Sequence, residues 1–189
     1  MPQARKNRAT QVRDYVLPNE VDRLLKATID TGRHGHRNYT LILLCFRHGL
    51  RLSELADLQW KMVDFDRKLL HVSRSMQGID SKHPLSGLEL RALRKLKKDY
   101  PRSRYLFVSD DGNRLSSRSI SRIMSEAGEE AGLEIPVNPR VLRRGCAHAL
   151  AQAGHNVVAL QQYLGHRKIL QTLRYVDLPS QPFKDFWKN

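Results

Sequence analysis

The chain has 189 residues, with 33 Lys and Arg against 19 Asp and Glu, so its formal net charge is +14 at pH 7. This length provides one domain, or at most two small ones, with a proper core, and the charge favours a polyanionic partner, nucleic acid ahead of an anionic membrane surface. No apolar run is long enough to span a bilayer and no signal peptide is recognisable, so the sequence predicts a cytoplasmic protein without a membrane partner.

The N-terminal part is predicted to be a flexible basic arm, residues 1–18, that precedes the folded domain. If the arm lies along DNA phosphates, its contacts come from Arg5, Lys6 and Arg8. Asn19, followed by Asp22 three residues later, is the candidate cap of the first helix, in the manner of a capping box.

The next helix is predicted over residues 38–48 and should form the centre of the fold. Its segment 41–46 is apolar on nearly every side, and Gly49 provides its end. Ser53 is the predicted cap of a third, short helix. Cys45 lies within the apolar segment and, like Cys146, shows no metal-ligand spacing, so both are expected to be small buried residues in a reducing compartment.

The hydrophobic period then changes to that of strands. Residues 69–73 and 83–85 are predicted to be two strands around a turn at 77–80. A third strand is predicted at 105–108, closed by the Asp-Gly-Asn turn at 111–113.

The rest of the chain has helical patterns. Ser86 and Glu89 form a capping box for one helix, and further helices are predicted over 117–131 and 138–153. The fold class is therefore mainly α with a small antiparallel β-sheet (α+β). Basic residues on these helices are the remaining candidates for DNA contacts: Lys95, Lys98, Arg118 and Arg122.

The segment 164–175 ends one helix and begins another. Gly165 is the expected helix end, apolar residues at helical spacing follow, and Tyr175 stands near the end of the second helix. Taken alone, this tyrosine is more simply explained by packing. The sequence lacks paired carboxylates, metal-ligand clusters and a glycine-rich phosphate loop, which argues against a metal nuclease and a nucleotide hydrolase.

Several stretches, in this order, resemble the boxes of the tyrosine recombinases, also called the phage-integrase family. Residues 49–55 resemble the first arginine box, 139–144 the second, and 164–166 with Tyr175 the third box and the nucleophile. Within the family, the chain resembles the small recombinases that invert fimbrial promoter switches, which share the His-Pro-Leu found here at 83–85.

The resemblance implies a catalytic-domain fold of this family and a role for each matching residue. Arg51 and Arg143 would hold the non-bridging oxygens of the scissile phosphate, and His166 would donate a further hydrogen bond to it. Tyr175 would attack phosphorus and leave a 3′-phosphotyrosyl link and a free 5′-hydroxyl. Because this link conserves the bond energy for rejoining, no metal or other cofactor is expected.

The chain departs from the family pattern at two positions. The usual His of the second box is Arg140, which can bind phosphate but cannot act as a general base, because arginine stays protonated. The usual lysine of the second hairpin is missing from its turn, so Lys82, and after it Arg74, are the candidates for the general acid. These departures leave two alternatives open: a degenerate DNA-binding regulator that no longer cuts, and a type IB-like topoisomerase.

The resemblance also implies an assembly on DNA. Residues 19–178 would form the catalytic domain and 179–189 a C-terminal tail that docks on a neighbouring subunit. The expected partners are double-stranded DNA, further copies of the chain in a tetramer on paired sites, and a DNA-bending helper protein, in or near the nucleoid. The apolar residues expected to mediate docking are Phe183, Phe186 and Trp187.

Overall fold

In a computed structural model, residues 13–29, 32–75 and 77–176 are described, and they form helices and one small sheet. The described helices are α1 Pro18–Ile29, α2 Gly35–His48, α3 Leu52–Ala56, α4 Gly87–Asp99, α5 Ser117–Glu130, α6 Pro139–Gln152, α7 Val157–Leu164 and α8 Leu170–Leu173. The antiparallel sheet has the order β1 Val63–Asp64, β2 Leu69–Val72, β3 Ser81–Pro84. The mainly helical fold class is confirmed. The predicted arm contacts and tail aromatics lie outside the described residues. Residues 13–17 of the predicted flexible arm are described, and they pack on the domain, with Val16 1% exposed and Tyr15 stacked on His148.

Helix α2 forms the centre of the core, as its apolar pattern predicts. Its segment 41–46 is buried throughout, and the helix packs against α1, α4 and α6. It ends at Gly49, whose left-handed backbone (φ 55°) allows the turn into α3. The helix starts at Gly35 and not at residue 38 as predicted. A Cβ atom on Gly35 would lie only 2.4 Å from the carbonyl oxygen of Ile29, so glycine permits this close approach.

The predicted start of α1 is wrong by two residues, because a cap at Asn19 places the first helical residue at position 20. The helix begins at Pro18, which suits the first helical position because it needs no hydrogen-bonded N–H there. Glu20 Oε2 accepts a hydrogen bond from the backbone N–H of Leu17 at 2.7 Å, so the carboxylate of Glu20 satisfies this end of the helix in place of the predicted Asn19 and Asp22.

The predicted hairpin of β2 and β3 is present, with Leu70 opposite His83, although β3 begins at Ser81, two residues before the predicted strand, and ends at Pro84. The predicted strand at 105–108 is wrong, because Tyr105 and Val108 each form only an isolated bridge, to Gln59 and Arg114 respectively. Leu106 and Phe107 are fully buried, so the apolar residues of this segment indicate burial in the core and not pairing in a sheet. Strand β1 has two residues, too few for a detectable alternation.

Local capping interactions fix the helix ends near the later site. Asn138 Oδ1 accepts from the backbone N–H groups of Arg140 (3.0 Å) and Val141 (3.1 Å), and Pro139 occupies the first position of α6. Helix α7 ends at Gly165 with φ 66°, as predicted. Cys146 is buried as a free thiol, like Cys45. Three parts of the chain meet on one side of the domain. They are the N-terminal half of α6, the α2–α3 junction and the α7–α8 junction.

Candidate active site

Residues from all three arginine-box stretches line two adjoining clefts on that side. One cleft has a volume of about 480 Å³ and the other about 370 Å³. Both are lined by Arg51, Arg143, Arg144 and Tyr175, and the smaller one also by His166. Segments that are more than a hundred residues apart in the chain therefore bring a phenol, guanidinium groups and an imidazole to one concave surface.

Arg143 is held from two directions by backbone carbonyl groups. Its Nη1 donates to Gly49 O at 2.5 Å and its Nη2 to Leu164 O at 2.7 Å. Burial, with the charges of Arg74 and Arg51 adding to it, lowers the pKa of Arg143 to about 10. The guanidinium group is therefore still positively charged at neutral pH, and the helix ends before Gly49 and Gly165 fix its position.

Arg51 lies at the start of α3 and pairs with a buried carboxylate. Glu54 Oε2 accepts from the backbone N–H of Arg51 at 2.8 Å, and Glu54 Oε1 accepts from Arg51 Nη1 at 2.7 Å. Burial alone would raise the pKa of Glu54, but the charge of Arg74 and the hydrogen bonds from Arg51 and Arg74 bring this pKa below its usual value. Glu54 is thus an ionised support for the arginine.

Arg74 follows β2 and is a buried support of the site rather than a free cation. Its Nη1 donates to Glu54 Oε2 at 2.8 Å and Gly49 O at 3.3 Å, and its Nη2 to His48 O at 3.2 Å and Tyr163 O. Its side chain has no exposed surface. Its guanidinium nitrogens are therefore engaged by these partners, which argues against Arg74 as the general acid. Nothing in the local sequence pattern indicates its supporting role.

His166 follows Gly165 and is almost completely buried, with 7% of its surface exposed. Burial, together with the charges of Arg143, Arg51 and Arg74, lowers the pKa of this imidazole to about 4, so the ring is neutral at pH 7. Its Nδ1 lies 2.8 Å from the hydroxyl oxygen of Thr172. A neutral ring that accepts this hydroxyl proton at Nδ1 carries its own proton on Nε2, and can donate it to an anion.

Tyr175 lies just after α8 and is half-buried between two imidazole rings. Its ring centroid is 5.4 Å from that of His148, at 79°, and 6.4 Å from that of His166, at 21°. The backbone N–H of Tyr175 donates to Thr172 O at 3.0 Å. His148 was not singled out from the sequence, although it stands on the same face of α6 as Arg140 and Arg144, at spacings of four residues.

The structure brings Arg140 to the site but not Lys82. Arg140 is exposed at the beginning of α6 and lines the larger cleft with Tyr175. Lys82 is exposed on β3 opposite His71 and lines neither cleft. The hairpin turn itself reaches the site, since a Cβ atom on Gly78 would lie 3.3 Å from Arg51 Nη1. The assignment of Lys82 as general acid stays a prediction.

The predicted DNA contacts fall into two groups. Arg118 and Arg122 are exposed on α5, whose Ser121 lines the larger cleft, so this helix borders the site. Lys95 and Lys98 are exposed on α4, and Lys95 borders a separate cavity of about 330 Å³ that shares no residue with either cleft. The arm residues Arg5, Lys6 and Arg8 lie outside the described part of the chain.

Within residues 13–29, 32–75 and 77–176, no group of three or more His, Cys, Asp and Glu side chains is arranged to hold a metal ion. None of their helices has the length and apolar character that crossing a bilayer requires.

Comparison with known proteins identifies relatives over nearly the whole chain. The sequence model of the phage integrase family matches residues 14–181. The chain is 37% identical over 188 residues to the type 1 fimbriae regulatory protein FimB of Escherichia coli (strain K12), covering 96% of this chain and 94% of that protein. It is 35% identical over 182 residues to the type 1 fimbriae regulatory protein FimE of the same strain, covering 93% and 91%.

Solved structures show the same fold. The crystal structure of XerA recombinase superposes with a TM-score of 0.77 at 25% identity, covering 92% of this chain and 63% of that one. The XerH site-specific recombinase bound to its difH substrate, in a pre-cleavage complex, gives a TM-score of 0.79 at 18% identity, covering 92% and 53%.

Proposed function

Because the chain belongs to the phage integrase family of tyrosine recombinases, we propose that it is a site-specific recombinase that cleaves and rejoins DNA through Tyr175. The observation that carries this proposal is the convergence of Tyr175, Arg51, Arg143 and His166 on one pair of clefts. The net charge of +14 suits DNA as the partner.

In the proposed reaction, a backbone phosphate enters the cleft between the two catalytic arginines. Arg51 and Arg143 hold its non-bridging oxygens, and the Nε2–H of neutral His166 donates a further hydrogen bond. These fixed donors stabilise the negative charge that develops as phosphorus becomes five-coordinate. Because the Glu54 and carbonyl contacts already orient the arginines, little reorganisation accompanies the reaction.

Tyr175 Oη attacks phosphorus, and the bond between phosphorus and the 5′-oxygen breaks. The product is a 3′-phosphotyrosyl bond, and the leaving 5′-oxygen takes up a proton. Attack by a 5′-hydroxyl on the phosphotyrosine reverses these steps and rejoins a strand. Arg140 stabilises the anion but does not accept the tyrosine proton, which passes to water or to a phosphate oxygen. Lys82 remains a candidate donor to the 5′-oxygen only if the hairpin moves when DNA binds.

The resemblance to the small recombinases that invert fimbrial promoter switches supports inversion of a DNA segment, with integration or excision as the alternative, and the two type 1 fimbriae regulatory proteins match over almost their full lengths. In this proposal, residues 19–178 act as the catalytic domain, four copies assemble on two paired sites in the nucleoid, and a helper protein bends the DNA between the sites. The tail, residues 179–189, would connect neighbouring copies. A chain that lacks residues 180–189 should then bind DNA but fail to exchange strands, whereas full recombination by it would contradict the docking role.

The test uses a plasmid that carries DNA from both sides of the chain's own gene. Restriction digestion after incubation should reveal an inverted segment with the native protein and none with Tyr175→Phe. Relaxation of supercoiled plasmids of any sequence, without rearrangement, would instead favour a topoisomerase. DNA binding with neither rearrangement nor a covalent product would favour the non-cutting regulator.

A further inference from the structure

Arg144 lines both clefts but has no role in the reaction described above. It follows Arg143 directly and stands one helical turn after Arg140, so α6 presents three arginines to the region around Tyr175. Its side chain is 25% exposed and lines both clefts, so it can be reached from them. An accessible arginine beside a nucleophile that attacks a phosphate is itself a candidate phosphate ligand.

Arg144 forms an ion pair with Asp14. Asp14 lines the smaller cleft together with Arg51, Arg143, His166 and Tyr175, so its carboxylate stands among the groups that bind the reacting phosphate. Carboxylate and phosphate oxygens make the same kind of charge-assisted hydrogen bond with a guanidinium group. The carboxylate therefore occupies a position that is suited to an oxygen of the DNA backbone.

Packing, rather than this ion pair, sets the position of Asp14. We call residues 13–17 the strap. Its Tyr15 ring stacks on His148 with 3.8 Å between centroids, and its Val16 is 1% exposed. Gly145 permits the contact, because a Cβ atom there would lie 2.5 Å from Val16 O. The side chain of Asp14 itself is 64% exposed, so the ion pair adds little to the stability of the strap.

We propose that Arg144 binds a backbone phosphate of the DNA next to Tyr175, and that Asp14 holds this position when DNA is absent. DNA binding then exchanges a carboxylate for a phosphate on Arg144, while the strap remains packed on α6. Asp14 weakens binding slightly, because the exchange releases an ion pair. The inference deepens the proposed function and rests on it, since the phosphate at this position belongs to the strand that Tyr175 attacks.

Equilibrium binding to a double-stranded DNA fragment tests the exchange over a series of salt concentrations. All proteins carry Tyr175→Phe, so that binding is measured without cleavage. The series comprises Asp14→Asn, Arg144→Gln, their combination and Arg144→Lys. Asp66→Asn is the matched control, because it makes the same change of charge at the exposed turn between β1 and β2.

The exchange predicts a specific pattern of affinities. Arg144→Gln should make the slope of log K against log salt shallower by about 0.9, the value of one phosphate contact, whereas Arg144→Lys should retain the slope. At low salt, Asp14→Asn should tighten binding by roughly two- to five-fold, as expected for the loss of a surface ion pair. When Arg144→Gln is also present, the gain in affinity from Asp14→Asn should fall to the gain that the control Asp66→Asn gives.

Two results would overturn the inference. One is an unchanged slope in Arg144→Gln; the other is an equal gain from Asp14→Asn and Asp66→Asn when Arg144 is present. If Arg144→Gln does not fold, the comparison of the two Asp→Asn proteins still decides. Failure of the proposed function shows differently, as the absence of a covalent DNA adduct in proteins that retain Tyr175.

Discussion

Arg74 and Arg143 donate hydrogen bonds to the same acceptor, the carbonyl oxygen of Gly49. The distances are 3.3 Å from Arg74 Nη1 and 2.5 Å from Arg143 Nη1. Arg74 also binds Glu54, and Glu54 in turn binds Arg51. A buried arginine that follows β2 thus supports both of the arginines that we propose as phosphate ligands.

This arrangement predicts a large loss of stability in Arg74→Met. The substitution leaves the buried carboxylate of Glu54 with fewer partners, and removal of one member of a buried ion pair costs about 3–5 kcal/mol. Arg114→Met is the matched control, because Arg114 pairs with Asp57 at the surface, with 45% and 55% of the two side chains exposed. The control should cost about 1 kcal/mol or less. Urea unfolding measures both, and equal costs would show that Arg74 is not a central support.

Thr172 is predicted to determine which nitrogen of His166 carries the proton. Thr172→Val removes the hydroxyl partner of Nδ1 but keeps the shape of the side chain, and loss of one such hydrogen bond is worth about 1 kcal/mol. The rate of covalent adduct formation should therefore fall by roughly five- to tenfold. Thr172→Ser retains the hydroxyl and should react at nearly the native rate. Equal rates for the Val and Ser proteins would exclude this positioning role.

Acid should destabilise the protein well above the pH at which its carboxylates become protonated. Burial, together with the charges of His48 and Arg74, lowers the pKa of His83 to about 2, and the pKa of His166 is lowered to about 4, both from an ordinary value of 6.5. As pH falls below 6.5, the unfolded chain binds protons at these positions before the folded chain does. The free energy of unfolding should thus be highest above pH 6.5 and decrease between pH 6.5 and 5.

Urea unfolding at several pH values measures this decrease, and proton NMR of the histidine rings identifies its source. The resonances of His83 and His166 should not move between pH 7.5 and 5.5. A midpoint near 6.5 for either ring, assigned with His83→Gln and His166→Asn, would show that the ring is protonated in the folded protein.

Arg140→His is predicted to accelerate cleavage. An imidazole at this position of the larger cleft can accept the tyrosine proton, which an arginine cannot, and general bases typically contribute ~10²–10⁴-fold. We expect at least a tenfold faster adduct formation at pH 7.5, together with weaker DNA binding from the loss of one charge. Arg140→Gln, which loses the charge without gaining a base, is the control. If the His and Gln proteins react equally slowly, proton acceptance does not limit the reaction.

Local chemistry determines how much of this structure the sequence predicts. Gly49 and Gly165 end their helices through their own backbone conformation, and Ser86 caps α4 by accepting a hydrogen bond from the backbone N–H of Glu89. These helix ends can therefore be predicted from neighbouring residues. The box resemblance indicated Arg51, Arg143, His166 and Tyr175, and the fold brings them together.

Features that depend on distant partners were not predictable. Buried Arg74 donates to a carbonyl group as distant in the sequence as that of Tyr163, and Asp14 pairs with Arg144, which lies 130 residues later in the chain. At Tyr105–Val108 the sequence predicts a strand that the structure lacks. A short apolar run is typical both of a strand and of a buried loop, so the pattern cannot distinguish them. Lys82 is the lysine nearest to the expected position in the hairpin sequence, whereas in the structure it lies opposite His71 and lines neither cleft.

Trapping the covalent bond between Tyr175 and DNA tests the proposed reaction most directly. The substrate is DNA from the neighbourhood of the gene, nicked so that the cleaved fragment diffuses away and cannot be rejoined. After a detergent quench, we predict a protein band shifted by the attached DNA with the native chain and no such band with Tyr175→Phe. A shifted band that persists in Tyr175→Phe, or its absence from the native chain on DNA that it binds, would contradict the account.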